Sequence, residues 1–318
     1  QTAKELAKEF TAEVKDYIAP NKNRDAFQEN LGKSRYEDIP CYESSRVRLR
    51  SRPQGSSSAS EEKTVEGVGG KNGFIHASWM RPPNGQQFIA AQGPMQETVE
   101  DFWQMVMQEK VVVIVQLCHF IECGQEKCVR YWPADGPKTA KFGEFRITLE
   151  KHHEDVFKGA RHATLLVENM SSRHTVEHIF VTNWPDQLAP DDPAIVVEVW
   201  RWVLRHAPTS PVVVHCSAGV GRTGTFVGIS FVNEAFKVHP SNVPLTRISE
   251  IVRSLRMIRC KSIQTYVQFL ALHAALLELF AQEKLIPRDA RLAACQEGIR
   301  VLIQKKLAKL QSGAPESA

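Results

Sequence analysis

Residues Val212 to Ile229 read VVVHCSAGVGRTGTFVGI, and this stretch decides how the rest of the chain is interpreted. Its apolar start, Val212–His215, predicts a buried strand, and helix-compatible residues resume at about Arg222. Cys216 follows the strand directly. Three glycines have the G-x-G-x-x-G spacing that is typical of dinucleotide-binding loops, namely Gly219, Gly221 and Gly224. The loop therefore holds either a dinucleotide or a phosphate group on which chemistry is done.

The surroundings of the glycines disfavour the dinucleotide. A dinucleotide loop has its first glycine directly after the strand, whereas the residues from His215 to Ala218 intervene here. It also needs an acidic residue about 20 positions later. The segment near Pro244 reads NVPLTRISEI and predicts a turn and the start of a helix. The lysine of a Walker A loop is missing as well.

The same loop suits a phosphate. Five consecutive backbone N–H groups can face one anion, those of Ser217, Ala218, Gly219, Val220 and Gly221. The positive end of the following helix dipole points to the same place, and both interactions favour the thiolate form of Cys216, which is its nucleophilic form. Arg222 adds a planar fork that matches two phosphate oxygens. The Thr223 hydroxyl lies near the sulfur for the leaving-group step. We interpret the loop as a nucleophile within an anion-binding site.

The composition limits the class of protein. The chain has 318 residues, 42% of them hydrophobic and 24% charged, which permits one large or two small globular domains. The net charge is +4 without a long Lys/Arg run, so we expect no binding to nucleic acid. The longest apolar run, Val111–Cys118, is too short to cross a bilayer. Seven scattered cysteines argue against a disulfide framework and for a reducing compartment.

Periodicity predicts strands followed by helices around one central parallel strand. Helices are expected at residues 2–18, around Val99–Met107, at 194–207 and at 288–311. Strands are expected at 43–50, 73–79, 87–93, 111–118, 142–150, 156–160, 162–169, 176–182 and 211–215. The fold class is therefore α/β or α+β, with a mixed sheet flanked by helices. Residues 51–73 contain Pro, Gly and Ser with almost nothing apolar, which predicts a solvated loop or insertion.

The decamer His215–Gly224, HCSAGVGRTG, resembles the signature of the cysteine-dependent protein tyrosine phosphatases. The resemblance extends from about Phe10 to about Phe280. It implies a highly twisted mixed sheet with the phosphatase loop between the central strand and a helix. It also implies hydrolysis of phosphotyrosine through a cysteinyl-phosphate, with Cys216 as nucleophile and Arg222 as phosphate clamp. We expect a catalytic domain at 1–285 with an insertion at 51–73, then a helical extension and disordered tail at 286–318.

Other matches to the family imply further roles. Trp184-Pro185-Asp186 looks like the mobile general-acid loop, with Asp186 as acid and later base. Ile263-Gln264-Thr265 resembles the glutamine loop, in which Gln264 positions the hydrolytic water and Gln268 supports it.

Substrate recognition is implied by the segment KSRYED. Tyr36 resembles the rim tyrosine that stacks on the substrate ring and deepens the pocket, so that a shorter phosphoserine does not reach the cysteine. Asp38 resembles the acid that accepts from the substrate backbone. In the supporting set, Glu122 resembles the partner of the arginine, Lys127 a lysine near the acid loop, and His215 is part of the signature.

The chain departs from the family pattern at several places. Ser34 and His76 each replace an Asn that is usual in the family, and Cys123 replaces a frequent Lys. Gln187 follows W-P-D, where an aromatic or other residue is common. None of these departures affects the nucleophile, clamp, acid or water-positioning residue. The alternative is a catalytically weak or dead phosphotyrosine-binding domain, and the presence of all five key residues favours activity: Cys216, Arg222, Asp186, Gln264 and Tyr36. A phosphoinositide phosphatase is disfavoured because residues 217–221 contain no lysine. A phosphoserine phosphatase usually has a shallower pocket without the rim tyrosine.

We expect no cofactor and no metal. Cys118, His119, Cys123 and Cys128 raise the question of zinc, but C-x4-C-x4-C is not a standard zinc spacing. The expected partners are phosphotyrosine-containing proteins. The helix at 288–311 either docks on the core or contacts a partner, and we favour docking. Because the chain starts at Gln1, we expect a piece of a longer protein, in the cytoplasm or as the cytoplasmic part of a membrane-anchored one.

Overall fold

The computed structural model describes residues 1–50, 73–154, 156–190, 192–238 and 247–311. All of the predicted insertion at 51–73 except Gly73 lies outside the described residues, as does the tail after Gln311.

Eleven strands are described, nine of them in one sheet. Their bounds are β1 Arg46–Arg48, β2 Phe74–Met80, β3 Gln87–Ala91, β4 Val113–Gln116, β5 Ile121–Glu122, β6 Gln125–Glu126, β7 Thr139–Phe142, β8 Phe145–His153, β9 Ala160–Glu168, β10 Arg173–Val181 and β11 Pro211–His215. The order in the large sheet is β1-β2-β3-β11-β4-β10-β9-β8-β7, and β5 and β6 form a separate hairpin.

The last strand in the chain is a central strand of the sheet. β11 runs parallel to β3 on one side and to β4 on the other, and β10 is parallel to β4. The outer pairs are antiparallel, so the predicted mixed sheet is confirmed. The valines Val212–Val214 are fully buried, which explains the uninterrupted apolar run of this strand. The residues after His215 consequently leave the carboxyl end of the sheet at its centre.

Eight α-helices flank the sheet within the described residues. They are α1 Ala3–Glu9, α2 Asp25–Gln28, α3 Val99–Gln108, α4 Pro193–His206, α5 Gly221–Val238, α6 Ile248–Ile258, α7 Tyr266–Gln282 and α8 Ala290–Gln311. Local sequence signals set several starts: Asp192 caps α4 ahead of Pro193, and Thr265 with Gln268 forms a capping box on α7. Among the helices that the structure describes, none combines the length and apolarity needed to cross a bilayer.

Two local predictions were wrong, and one short element was missed. Residues 156–159 form a turn rather than a strand, and Gly159 has a φ of 104° just before β9. The strand predicted at 142–150 is two strands, because Gly143 with a φ of 57° turns the chain between β7 and β8. The β5–β6 hairpin was not predicted. It turns at Cys123 and Gly124, both at positive φ, and presents the side chain of Glu122.

The C-terminal helix α8 packs on the protein. Ile299 is 1% exposed and belongs to the main core, and Gly298 passes close to Ala3 of α1. Ile303 and Leu307 pack around Leu188, which follows the predicted acid loop. The described part of the helix is therefore docked, as the favoured interpretation of its amphipathic pattern expected.

Candidate active site

The loop between β11 and α5 encloses the side chain of Cys216. This residue is 3% exposed, and its sulfur accepts a hydrogen bond from the Gly219 N–H at 3.3 Å. Gly219 can turn its amide inward because its φ is 68°, a conformation that favours glycine. The loop thus directs at least one backbone donor onto the sulfur, in the arrangement that stabilises a thiolate.

The loop carbonyls are held outward by donors from the surrounding protein. Ser217 O accepts from the Gly93 N–H at 2.9 Å, and Val220 O accepts from the Ile263 N–H at 2.9 Å. The carbonyls between them accept from a single guanidinium, that of Arg259. Because the carbonyls are engaged outside, the N–H groups of the same peptides are left to face the centre of the loop.

Arg259 is a functional residue that the sequence reasoning missed. It is 1% exposed and donates to Ala218 O at 3.1 Å and, through Nε, to Gly219 O. His76 receives a further Arg259 N–H on Nδ1 at 3.1 Å and contacts Ile39 O through Nε2 at 2.8 Å. Burial, with the adjacent guanidinium, lowers the pKa of His76 to about 3, so this ring is neutral and serves as an acceptor. The surrounding segment, RMIRCKSI, contains two arginines and a lysine, and nothing in it separates Arg259 from an ordinary surface cation.

Arg222 lies at the base of the site with its head group fully buried. Its Nη1 and Nη2 donate to the two oxygens of Glu122 at 2.6 and 3.0 Å, and Nη1 also donates to Trp184 O at 2.9 Å. Burial alone would lower the pKa of this guanidinium, but the Glu122 carboxylate and the nearby Cys216 raise it above its usual range. Among the described residues its Nε has no hydrogen-bond partner, so one donor of the guanidinium stays available.

Asp186 is held between two cations. Its Oδ1 accepts from Arg222 Nη2 at 3.0 Å, and its Oδ2 lies 3.2 Å from Lys127 Nζ. Burial opposes the charge on Lys127, but the Asp186 carboxylate outweighs it and raises the pKa of the lysine. The structure therefore joins Asp186, Lys127, Glu122 and Arg222, which the sequence resemblance had assigned from three separate segments.

The segment 184–188, the predicted acid loop, is also held by neutral contacts. Trp184 Nε1 donates to Leu188 O at 2.9 Å across the turn, and Gln187 sits at its tip with a φ of 58°. The Thr265 hydroxyl, from the start of α7, donates to Gln187 O at 2.9 Å. The same hydroxyl caps α7, so one threonine links the acid loop to the glutamine loop.

The two predicted glutamines lie over the start of α5. A Cβ placed on Gly221 would come within 2.7 Å of Gln264 Oε1 and 2.5 Å of Gln268 Nε2. Gln268 is fully buried and accepts from the Gln264 N–H at 2.8 Å. This contact fixes the backbone of the glutamine loop while the Gln264 side chain reaches the phosphate-binding loop. Gly221 is needed here because any larger residue would displace both amides.

The rim tyrosine reaches the same loop. Tyr36 Oη lies 2.9 Å from Ser217 Oγ, and its ring packs with Ile39, Ala218 and Val220. Asp38 lies farther out, where its 71%-exposed carboxylate pairs with Lys261. Tyr36 therefore forms a wall of the site, whereas Asp38 lies at the entrance.

Two signature residues lie beneath the loop. Burial lowers the pKa of His215 to about 4, so the ring is neutral; its Nε2 is 2.8 Å from Tyr131 Oη. Its Nδ1 lies 3.3 Å from Cys216 O, a contact that positions the backbone of Cys216. Thr223 is fully buried, and its hydroxyl has no hydrogen-bond partner among the described residues.

The residues that raised the question of zinc do not converge on one point. Cys118 and Cys128 are buried, whereas Cys123 is exposed at the hairpin turn. His119 directs its Nε2 to Thr182 O at 2.7 Å.

The family model described as Protein-tyrosine phosphatase matches residues 30–278. Tyrosine-protein phosphatase non-receptor type 20 of Mus musculus is 34% identical over 255 residues, covering 79% of this chain and 54% of the relative. Receptor-type tyrosine-protein phosphatase C of Homo sapiens is 34% identical over 256 residues, covering 78% of this chain and 18% of the relative. The chain thus spans about half of the first relative and less of the second.

Solved structures are similar as well. A structure titled "PTPN18 in complex with HER2-pY1248 phosphor-peptides" has a TM-score of 0.69 and 26% identity, covering 87% of this chain and 97% of its own. A second structure, described as the structural basis of the PTPN18 fingerprint on distinct HER2 tyrosine phosphorylation sites, has a TM-score of 0.70 and 26% identity. The match covers 88% of this chain and 92% of that structure's chain.

Proposed function

Since the chain belongs to the protein-tyrosine phosphatase family, we propose that it hydrolyses phosphotyrosine in proteins through a cysteinyl-phosphate. The observation that carries the proposal is the position of Arg222. Its buried guanidinium is hydrogen-bonded to Asp186 at 3.0 Å and lies near Cys216, so nucleophile, clamp and acid share one site. A family member that has lost activity would have no need to keep all three together.

In the first step the Cys216 thiolate attacks phosphorus and the bond from phosphorus to the tyrosyl oxygen breaks. The loop N–H groups and Arg222 hold the three non-bridging oxygens, where charge is greatest in the transition state. A bound phosphate competes with Asp186 for Arg222 Nη2, and its negative charge favours a proton on Asp186. Asp186 then gives that proton to the leaving phenolate oxygen, which departs as tyrosine.

In the second step a water attacks phosphorus and the sulfur–phosphorus bond breaks. Gln264 positions the water, and Asp186 takes its proton as a base. Inorganic phosphate leaves and the thiolate is restored. Thr223, with its unpartnered hydroxyl, is the donor that we assign to the departing sulfur.

The position of Tyr36 supports tyrosine as the substrate residue. The Tyr36 ring, fixed on Ala218 and Val220, forms a wall that an aromatic substrate ring can stack against. Asp38, exposed at the entrance, is placed to accept from the substrate backbone once it leaves Lys261. The PTPN18 structure with a phosphopeptide makes a phosphotyrosyl peptide a plausible ligand here too. Seven cysteines without disulfides support a reducing compartment such as the cytoplasm.

The test is phosphate release from a phosphotyrosyl peptide by the purified chain. We expect turnover by the native chain and by Cys295→Ser, a control on α8, and none by Cys216→Ser. Equal activity in all three proteins would refute the role of Cys216. Activity in none of them, with phosphopeptide still bound, would identify a pseudophosphatase.

The role of Asp186 is tested separately. Asp186→Asn should lower kcat at least about 10²-fold on the phosphotyrosyl peptide, because the leaving oxygen loses its proton donor. The loss should shrink on an aryl phosphate with a weakly basic leaving group, which does not need that proton. Asp135→Asn, an exposed aspartate that also pairs with two arginines, is the control. An equal loss on both substrates would remove Asp186 from the role of acid.

A further inference from the structure

Two imidazoles and a carboxylate converge on the sheet away from the catalytic residues. They are His153 on β8, His162 on β9 and Glu177 on β10, and their ligand atoms all lie within 4.8 Å of one another. Within the described ranges, this is the one group of three or more His, Cys, Asp or Glu side chains with such convergence.

The convergence follows from the strand register. His153 is directly opposite His162, and Glu177 is directly opposite Thr164, two residues further along β9. Residues two apart on a strand share a face, so the three side chains meet on one face of the sheet. Backbone pairing therefore holds the cluster in place, because each strand contributes one ligand.

Hydrogen bonding shows which ring atoms face the common point. His162 Nε2 lies 2.7 Å from Glu177 Oε2, and Thr164 Oγ1 donates to Glu177 Oε1 at 3.1 Å. Since the hydroxyl has only one hydrogen, it must accept from His153 Nε2, which is 2.8 Å away. Both Nε2 atoms therefore lie on the side of Glu177: His162 Nε2 contacts Oε2 directly, and His153 Nε2, which donates to Thr164, is 3.9 Å from the same oxygen.

The cluster is partly shielded from water. His162 is 6% exposed, and its ring lies edge-on to Trp202 of α4 at 4.9 Å and tilted against Phe157 at 6.0 Å. Its Nδ1 has no partner among the described residues, so every polar contact of this ring is on the Nε2 side. His153 and Glu177 are half-buried and leave an entry from solvent.

We propose that His153, His162 and Glu177 bind one divalent transition-metal cation of the Zn²⁺ class, with a water as fourth ligand. Two nitrogens and one oxygen suit Zn²⁺, whereas Mg²⁺ and Ca²⁺ prefer oxygen alone. Tetrahedral ligands with bonds of about 2.0–2.1 Å lie about 3.3 Å apart. The observed Nε2–Oε2 separations of 2.7 and 3.9 Å lie on either side of that value.

Binding requires a small rearrangement of one ring. The two imidazoles are stacked at 4.2 Å and 16°, so the ring of His153 must tilt for both planes to contain the ion. Its side chain is 24% exposed, which permits the tilt. The cation replaces the two Nε2 hydrogens, and each neutral imidazole carries its hydrogen on Nδ1 instead. This site departs from the expectation of no metal, which rested on short sequence spacings.

The experiment titrates Zn²⁺ by calorimetry and Co²⁺ by visible absorption into a Cys216→Ser, Cys123→Ser parent, which lacks the catalytic and the exposed thiol. We expect one Zn²⁺ per chain and, with Co²⁺, the strong absorption of a tetrahedral ion. His153→Ala and Glu177→Gln should each lower the affinity at least tenfold. His152→Ala removes the neighbouring exposed imidazole from the other face of β8 and should leave the affinity unchanged.

Circular dichroism verifies that each variant is folded, and either of the two ligand variants suffices for the comparison. The proposal is overturned if the parent shows no saturable binding. It is equally overturned if the ligand variants bind like the parent, or if His152→Ala loses affinity as they do. None of these outcomes depends on phosphatase activity.

Discussion

Replacing Gly219 by alanine tests the idea that its close approach to β3 shapes the nucleophile loop. A Cβ at this position would lie 2.0 Å from Ala91 O and 2.3 Å from Ala91 C. Contacts below 3.0 Å require movement, and the obstacle is backbone in the middle of the sheet, so the loop must shift by about 1 Å. That shift would pull the Gly219 N–H from the Cys216 sulfur and its carbonyl from Arg259.

Two terms set the magnitude. The left-handed conformation, with a φ of 68°, costs an alanine about 1–2 kcal/mol, and the forced contact adds about 1–3 kcal/mol. Gly219→Ala should therefore lower the free energy of unfolding by about 2–5 kcal/mol. Misplacing the loop by about 1 Å should also lower kcat/KM by about 10²-fold.

Gly85→Ala is the matched control. Gly85 has a φ of 84° but nothing within 4 Å of its Cβ position, so only the conformational cost of about 1–2 kcal/mol applies. Urea denaturation and peptide dephosphorylation would be measured on both variants. The reasoning is refuted if Gly219→Ala matches Gly85→Ala in the free energy of unfolding and keeps native kcat/KM.

Two further predictions concern charge. Lys127→Met removes one of the two cations that hold Asp186. Because this contact is partly exposed, its loss costs about 1 kcal/mol, which should lower kcat about fivefold with little change in KM. An unchanged kcat would contradict this prediction. Buried His76, His178 and His215 have lowered pKa values, mainly through burial, so the unfolded chain takes up their protons first as the pH falls below about 6.5. Their contribution to stability is complete well above that pH and is lost as the pH falls towards each folded-state pKa, about 4 for His215 and about 3 for His76. The loss amounts to about 4 kcal/mol between pH 7.5 and 5.5. Urea denaturation at both pH values measures it, and a loss below about 1 kcal/mol would be inconsistent with three neutral buried rings.

The elements that were predicted correctly have strong local signals. The apolar run of β11, the amphipathic α3 and α4, and the docked α8 follow from periodicity. The failures were turns. Residues 156–159 read VFKG, in which Val156 and Phe157 suit a strand whereas Gly159 suits a turn. The β5–β6 hairpin has only two residues in each strand. Short elements of this kind depend on what packs against them.

The residues of the site also fall into those that could be predicted and those that could not. Tyr36, Asp186, Glu122 and Gln264 were assigned from the resemblance alone, since nothing local gives any of them a role. Arg259 was not assigned, although its guanidinium orients the loop carbonyls. The sequence around Arg259 does not indicate that this side chain lies against Ala218 and Gly219, about 40 positions earlier in the chain.

The order of residues along the chain is enough to predict that Cys216 and Arg222, the proposed nucleophile and phosphate clamp, share one loop. Cys216 and Arg222 are six residues apart, and a strand–loop–helix of that length leaves few ways to place them. Only the tertiary structure decided what surrounds them. Glu122 meets Arg222 across 100 positions and Tyr36 meets Ser217 across 181. Likewise, the pairing of three strands, and no short motif, brings His153, His162 and Glu177 together. Contacts at such separations depend on strand order and register, which are properties of the whole sheet.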